Sequence, residues 1–194
     1  MVEKYLITQD DVVQFFAMAD IPQGRFDMHI LKAQDLDLKP VLNPALYYDF
    51  LTKFDSTGDP MYAAYQTLLN GGTYSYGGQT IEYVGIKPML CAYTFVRFLP
   101  MNPINVTRYG VVNKVDPRST PVPSDEIKYI VNNIKSDAAK YQNDVVQFLS
   151  NNTTTYPLYN TAVSDVKSTV GLNFFSSSNR NRRPFGWYDG VYYP

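Results

Sequence analysis

The chain has 194 residues, 45 % hydrophobic and 18 % charged, with a net charge of −1, the size of one domain with room left for an arm or an insertion. A single cysteine, Cys91, excludes an internal disulfide. The longest uncharged apolar run, PMLCAYTFV between Lys87 and Arg97, has nine residues against the roughly 20 that span a bilayer, which excludes a transmembrane helix. The start MVEKYLITQDD lacks the basic-then-apolar pattern of a secretory leader, so assembly in a reducing cytoplasm is expected and the sequons at Asn105, Asn151 and Asn152 read as chance matches. The 17 tyrosines point to a surface largely covered by partners, because tyrosine is amphipathic and enriched at interfaces. Charge is uneven: residues 1–60 carry −5, residues 61–151 carry +2 and residues 152–194 carry +2; solvated charge is the commoner meaning of such a split, and attraction between unlike faces of neighbouring copies is the alternative.

Taken in chain order, residues 7–19 predict a first helix, with Thr8 as cap, Asp11 as its capping-box partner and Ile7 stapled to Val12. It should stop near Asp20, ahead of Pro22. A second helix is expected over residues 25–37. Leu36, His29, Ala33, Phe26 and Ile30 form one stripe, with Leu31, Leu38 and Met28 on another side, so this helix should be sandwiched between neighbours. Pro40 should end it. Asn43 followed by Pro44 opens the next helix, to about residue 54, with the cap residue and then proline at the first helical position. After the turn STGDP, a short helix MYAAYQTLLN is terminated by Gly71.

Residues 73–84, TYSYGGQTIEYV, predict a hairpin whose tight turn uses the positive φ open to Gly77 and Gly78. Tyr76 then faces Gln79 and Tyr74 faces Ile81, so Tyr74, Tyr76, Ile81 and Tyr83 share an oily face that something must cover. A helix KPMLCAYTFVRFL follows. Residues 101–123 hold four prolines and read as an irregular, extended crossing segment. A long helix over about 124–150 comes next, capped by Ser124, with Ile127, Ile130, Val131, Ile134, Ala138, Tyr141, Val145, Phe148 and Leu149 repeating at spacings of three and four. Residues 152–194 lose periodicity yet contain nine of the 29 aromatic residues, which predicts an arm that orders on a partner. The fold class expected is mainly α: a helical-bundle body over 1–151 with a small β-hairpin insertion, and an extended interaction arm over 152–194.

Chemistry finds little support in the residues. One histidine and one cysteine do not make a zinc set, and no metal or other cofactor is expected. His29 lies at the edge of an apolar stripe, where packing outweighs catalysis as a reading. Asp35 and Asp37 stand about 200° apart on a helix and cannot converge on one ion; Asp37 falls within the apolar stripe and needs a backbone amide or an arginine. The pairs Gly71-Gly72 and Gly77-Gly78 match no phosphate-binding loop. Arg180, Arg182 and Arg183, beside Phe185, Trp187 and Tyr188 and near Tyr192 and Tyr193, suit a protein hot spot better than a nucleic-acid site. Two rival functions follow from these groups: a small hydrolase built on Asp35, Asp37 and His29, and a DNA-binding packaging protein using the arginine cluster.

The capped helix after LIT and the later helix ending AQDLDLKPVLNPALYYDFL resemble the start of tailed-phage head-to-tail connector, or adaptor, proteins. The segment VTRYGVVNKVDPRSTPVPSDEIKYIVNNI is similar to adaptor or ring proteins of crAss-like Bacteroides phages. The resemblance spans roughly residues 5–150. It implies a non-enzymatic virion subunit that forms a ring with copies of itself, commonly twelve, beneath the portal protein. Such a ring extends the DNA channel, with DNA only as passing cargo and no membrane, and docks a tail or second ring protein at the capsid–tail junction. The aromatic tail after residue 151 departs from that pattern.

Overall fold

A computed structural model describes residues 4–18, 21–108, 110–113 and 122–160. The protein is mainly helical with small antiparallel hairpins. Helix α1 (Gln9–Phe15) starts as its sequence dictates: the Thr8 side chain accepts from the Asp11 amide and the Asp11 carboxylate accepts from the Thr8 amide, closing a capping box. It ends earlier than its sequence pattern suggests, with Ala17 at a φ of 48° breaking the helical path.

The next helix runs on where Pro40 was expected to stop it. Helix α2 (Asp27–Ala33) passes into a π-helical turn (Gln34–Leu38) and then into α3 (Lys39–Leu42), with Pro40 in the first turn of α3. A proline within a helix loses one amide and collides with the carbonyl four residues before it. The wider π turn takes in an extra residue at that point and lets the axis continue. It also shifts the helical phase, so Leu38 is fully buried while Leu36, expected in the buried stripe, is 58 % exposed. Met28 is open to solvent as well, so this helix is covered on one side and not sandwiched.

Asn43 joins this helix to α4 (Pro44–Lys53). Its φ of 63° and ψ of 159° lie where only glycine is comfortable, and its side chain holds it there. Oδ1 accepts from the Leu46 amide at 3.0 Å, while Nδ2 donates to the carbonyls of Leu158 and Tyr159 at 3.1 and 2.8 Å. Helix α5 (Tyr62–Asn70) leads into strands β1 (Gly72–Tyr76) and β2 (Gln79–Tyr83), paired in the expected register with Tyr74 opposite Ile81. At the root of this hairpin, Gly71 and Gly85 both have positive φ and touch backbone: a Cβ on Gly85 would stand 2.6 Å from the Leu69 carbonyl oxygen. That contact brings α6 (Lys87–Phe98) directly against the end of α5, with the Ile86 amide donating to Leu68.

Helix α6 is the centre of the molecule, packed against α1, α2 and α7 (Ser124–Asn151). Between α6 and α7 the expected irregular crossing holds an antiparallel pair, β3 (Ile104–Thr107) and β4 (Gly110–Asn113), with Ile104 opposite Asn113. The β-branched residues of INVT and GVVN favour strands, and the prolines flank the pair instead of interrupting it; the part of the crossing at residues 114–121 lies outside the described residues. Helix α7 begins with Pro123 as its N-cap residue, so Ser124 occupies the first helical position and makes no capping bond.

The body does not end at residue 151. A turn and α8 (Pro157–Asn160) fold back onto it: Tyr156 is 2 % exposed and donates its hydroxyl to the Ala64 carbonyl at 2.7 Å. Rings run through the core from Phe50 to Tyr65, Tyr156, Phe148 and Tyr83, the last two stacked with centroids 3.9 Å apart. Much of the tyrosine excess is therefore spent inside. The hydroxyls find partners there: Tyr47 donates to Asp35, Tyr65 to Asp49, Tyr83 to the Leu68 carbonyl and Tyr93 to Gln142.

Candidate functional site

The three residues that could have made a catalytic set are held apart. Asp37 receives a two-pronged bond from Arg97 on α6, Nε to Oδ2 and Nη2 to Oδ1, both at 2.7 Å. Of the two partners expected, a backbone amide or an arginine, it is the arginine, and the fork geometry fixes the π turn against α6. Asp35 instead accepts from Tyr47 on α4 at 3.1 Å. His29 packs its edge against Phe98, centroids 5.7 Å apart, and its buried Nδ1 has no hydrogen-bond partner among the described residues. Burial, and then the charges of Lys32, Arg25 and Arg97, lower its pKa below the ordinary 6.5, so the ring is neutral at pH 7. A neutral imidazole, a tyrosine-bound carboxylate and an arginine-paired one, each on a different partner, position parts of the fold. Cys91 is likewise a packing residue, since burial, and secondarily Asp11, push its thiol up to about 12.

Two open features stand out among the described residues. The first is a cleft of about 410 Å³ between the π turn, α6, α7 and α8. Its lining mixes the apolar side chains of Leu36, Pro40, Val41 and Val146 with the polar groups of Asp37, Tyr93, Gln142 and Tyr159. The π turn creates it by turning Leu36 outward, a phase change that regular helical spacing does not foretell.

The second is the outer half of α7. Its inner half buries Ala138, Val145, Phe148 and Leu149, yet no residue of the helix before Ala138 is buried. Ile127, Ile130, Val131 and Ile134 continue the same stripe for about two more turns, and Tyr129 stands 68 % exposed. A segment this short is marginal as a free helix and holds here as an extension of the packed half. Asp125 with Lys128 and Asp137 with Lys140, each pair at 2.9 Å, support its solvent face. Full burial of an aliphatic side chain gains ~1.5–3 kcal/mol, so this stripe carries an uncollected gain that a second surface could supply.

Of the sequence-selected interface residues, Tyr83 is buried and Tyr74 half-buried, both against Phe148 of the chain's own α7. The oily hairpin face is thus covered from within at its root. Ile81 is half-buried and Tyr76, at the tip, is 57 % exposed. Arg180, Arg182, Arg183, Phe185, Trp187, Tyr188, Tyr192 and Tyr193 lie outside the described residues, as does the expected arm from residue 161 onward. Among the described residues no group of three metal-ligating side chains comes together, and no helix is long and apolar enough to cross a membrane.

Compared with known proteins, the chain matches DUF6712, a family of unknown function, over residues 38–167, more than half its length. The match begins at the π turn and runs past α8, which agrees with a folded body extending beyond residue 151. No curated protein and no solved structure matches.

Proposed function

We propose that this chain, which belongs to the DUF6712 family, is a non-enzymatic virion structural protein: a head-to-tail adaptor that forms a ring of identical subunits beneath a portal. The ring extends the DNA channel and docks tail components. The observation that carries the reading is the outer half of α7, where the apolar stripe continues before Ala138 with Ile127, Val131 and Ile134 only half-buried and Ile130 exposed. Closed rings need such a surface on every subunit, matched to a different surface on the next. The resemblance of the N-terminal helices and of the segment leading into α7 to phage connector proteins supplies the setting, with twelve copies as the expected number. Tyr48 and Tyr76, both more than half exposed, offer further contact points. Within the ring, the outer half of α7 meets a neighbour, and the residues beyond 160 reach portal or tail proteins.

Electron microscopy of the purified protein, counting the rotational symmetry of its particles, tests the proposal directly. Rings are expected. Ile127→Asp combined with Ile134→Asp should abolish them while leaving the circular dichroism of the subunit unchanged. A wild-type protein that sediments as a monomer at every concentration, alone and with its portal, sinks the reading.

A further inference from the structure

The first hairpin is a sheet of two strands, β1 and β2, and so has two edges. The two-residue turn at Gly77 and Gly78, both with positive φ, makes Tyr76 and Gln79 a hydrogen-bonded pair. Bonded and non-bonded pairs alternate from there: Tyr74 with Ile81 and Gly72 with Tyr83 exchange bonds, while the backbone groups of Thr73, Ser75, Thr80 and Glu82 point outward. All four of these residues are exposed, and no other backbone hydrogen bond reaches them among the described residues.

A row of outward amides and carbonyls recognises one kind of chemistry, an extended backbone. Sheet edges are commonly blunted by lysine, proline or a bulge; β1 reads GTYSY and pairs without interruption, so short length is its one defence. The edges are also held in place. Tyr83 stacked on Phe148 and Tyr74 packed against the same ring fix the hairpin to α7, and the close contact of Gly71 with Gly85 closes its root. An added strand therefore meets a preordered template.

Every copy of the chain carries a matching strand. The four outward residues all lie on the polar face of the hairpin, so bonding β1 to β2 of a second copy aligns polar face with polar face, and Tyr74, Tyr76 and Ile81 on the other side. Tyr76, 57 % exposed, and half-buried Ile81 gain cover there. Strand β1 has no charge and β2 has only Glu82, so this pairing sets no two carboxylates against each other. Joining β2 to β2 would gather Glu82 from both copies, and joining β1 to β1 would leave both β2 edges open.

We infer that the first hairpin is a strand-pairing contact between copies of this chain, in which β1 of one subunit adds antiparallel to β2 of the next. Its head-to-tail order rests on the ring proposal, and within a closed ring every hairpin has both edges satisfied.

Amide hydrogen exchange of the full-length protein, quenched and read at single residues by mass spectrometry, tests this by comparing assemblies with protein diluted to monomer. Tyr74 and Ile81, bonded within the hairpin, should be slow in both states. Thr73, Ser75, Thr80 and Glu82 should exchange fast in the monomer and several-fold more slowly in the assembly. Ser75→Pro removes an outward donor and no bond of the hairpin, at an edge position that tolerates proline. It should weaken association several-fold in sedimentation, with the circular dichroism of the monomer unchanged. Rings in which all four amides exchange fast overturn the inference and leave the ring reading intact, as do rings unaffected by Ser75→Pro. Protection of Thr73 and Ser75 alone overturns it in favour of a symmetric β1 to β1 dimer. Protection of all four in particles without rotational symmetry supports the strand pairing and counts against the ring. A protein that never associates overturns both.

Discussion

The two halves of α7 share one apolar stripe and end differently. From Ala138 onward the stripe is buried against α6, the root of the first hairpin and the aromatic file through Tyr156; before Ala138 the same spacing is at most half-buried. A periodic pattern determines which side of a helix is apolar, and what covers that side is decided by elements far away in the chain. One half of this helix is fully covered among the described residues, and the other only partly.

The largest expected effect breaks the closed half. Phe148→Ala removes the ring stacked on Tyr83 and packed near Tyr74 and Tyr156, and should cost about 3–5 kcal/mol in a denaturant titration of the subunit. The matching change in the open half, Ile130→Ala, should shift subunit stability by less than about 0.5 kcal/mol. Similar losses from both would erase the distinction.

Asn43 tests how the closed half is tied together. Asn43→Ala removes a cap and both bonds to α8 while leaving a strained φ, with an expected loss of about 2–3 kcal/mol. Asn43→Asp keeps the acceptor for Leu46 and loses the donors to Leu158 and Tyr159. It should fall between wild type and alanine, and limited proteolysis should show α8 released first.

The smallest effect is a pH slope at the seam of α2 and α6. His29 has a folded pKa below 6.5, so the unfolded chain binds the proton first as pH falls. Stability from this group is complete above 6.5 and declines as pH drops through that value towards the folded pKa. His29→Gln should flatten the slope measured between pH about 5 and 7. A steeper slope in the variant would show that His29 is charged in the folded protein.

Much of the local structure is legible in the residues themselves. Thr8 with Asp11, Asn43 with Pro44, Gly71 as a helix stop, and the glycine pair that sets the hairpin register all act within a few positions, and local chemistry is enough to read them. Even the need of Asp37 for a partner, a backbone amide or an arginine, follows from a carboxylate placed in an apolar stripe. Which arginine does not follow: Arg97 is 60 residues away. The same holds for Tyr156 and Ala64, separated by 92 residues, and for Asn43 and Tyr159, separated by 116. Such bonds turned a presumed arm at residues 152–160 into part of the body and drew tyrosines inward.

What the sequence determined alone is therefore the set of elements, their caps and their apolar faces, because these depend on neighbours three or four positions apart. Tertiary structure decided the π turn that carries the helix past Pro40, the outward swing of Leu36 that opens the cleft, and the line at Ala138 between covered and uncovered stripe. Each of these depends on which surfaces meet in space, and a helical or strand period carries no information about its partner.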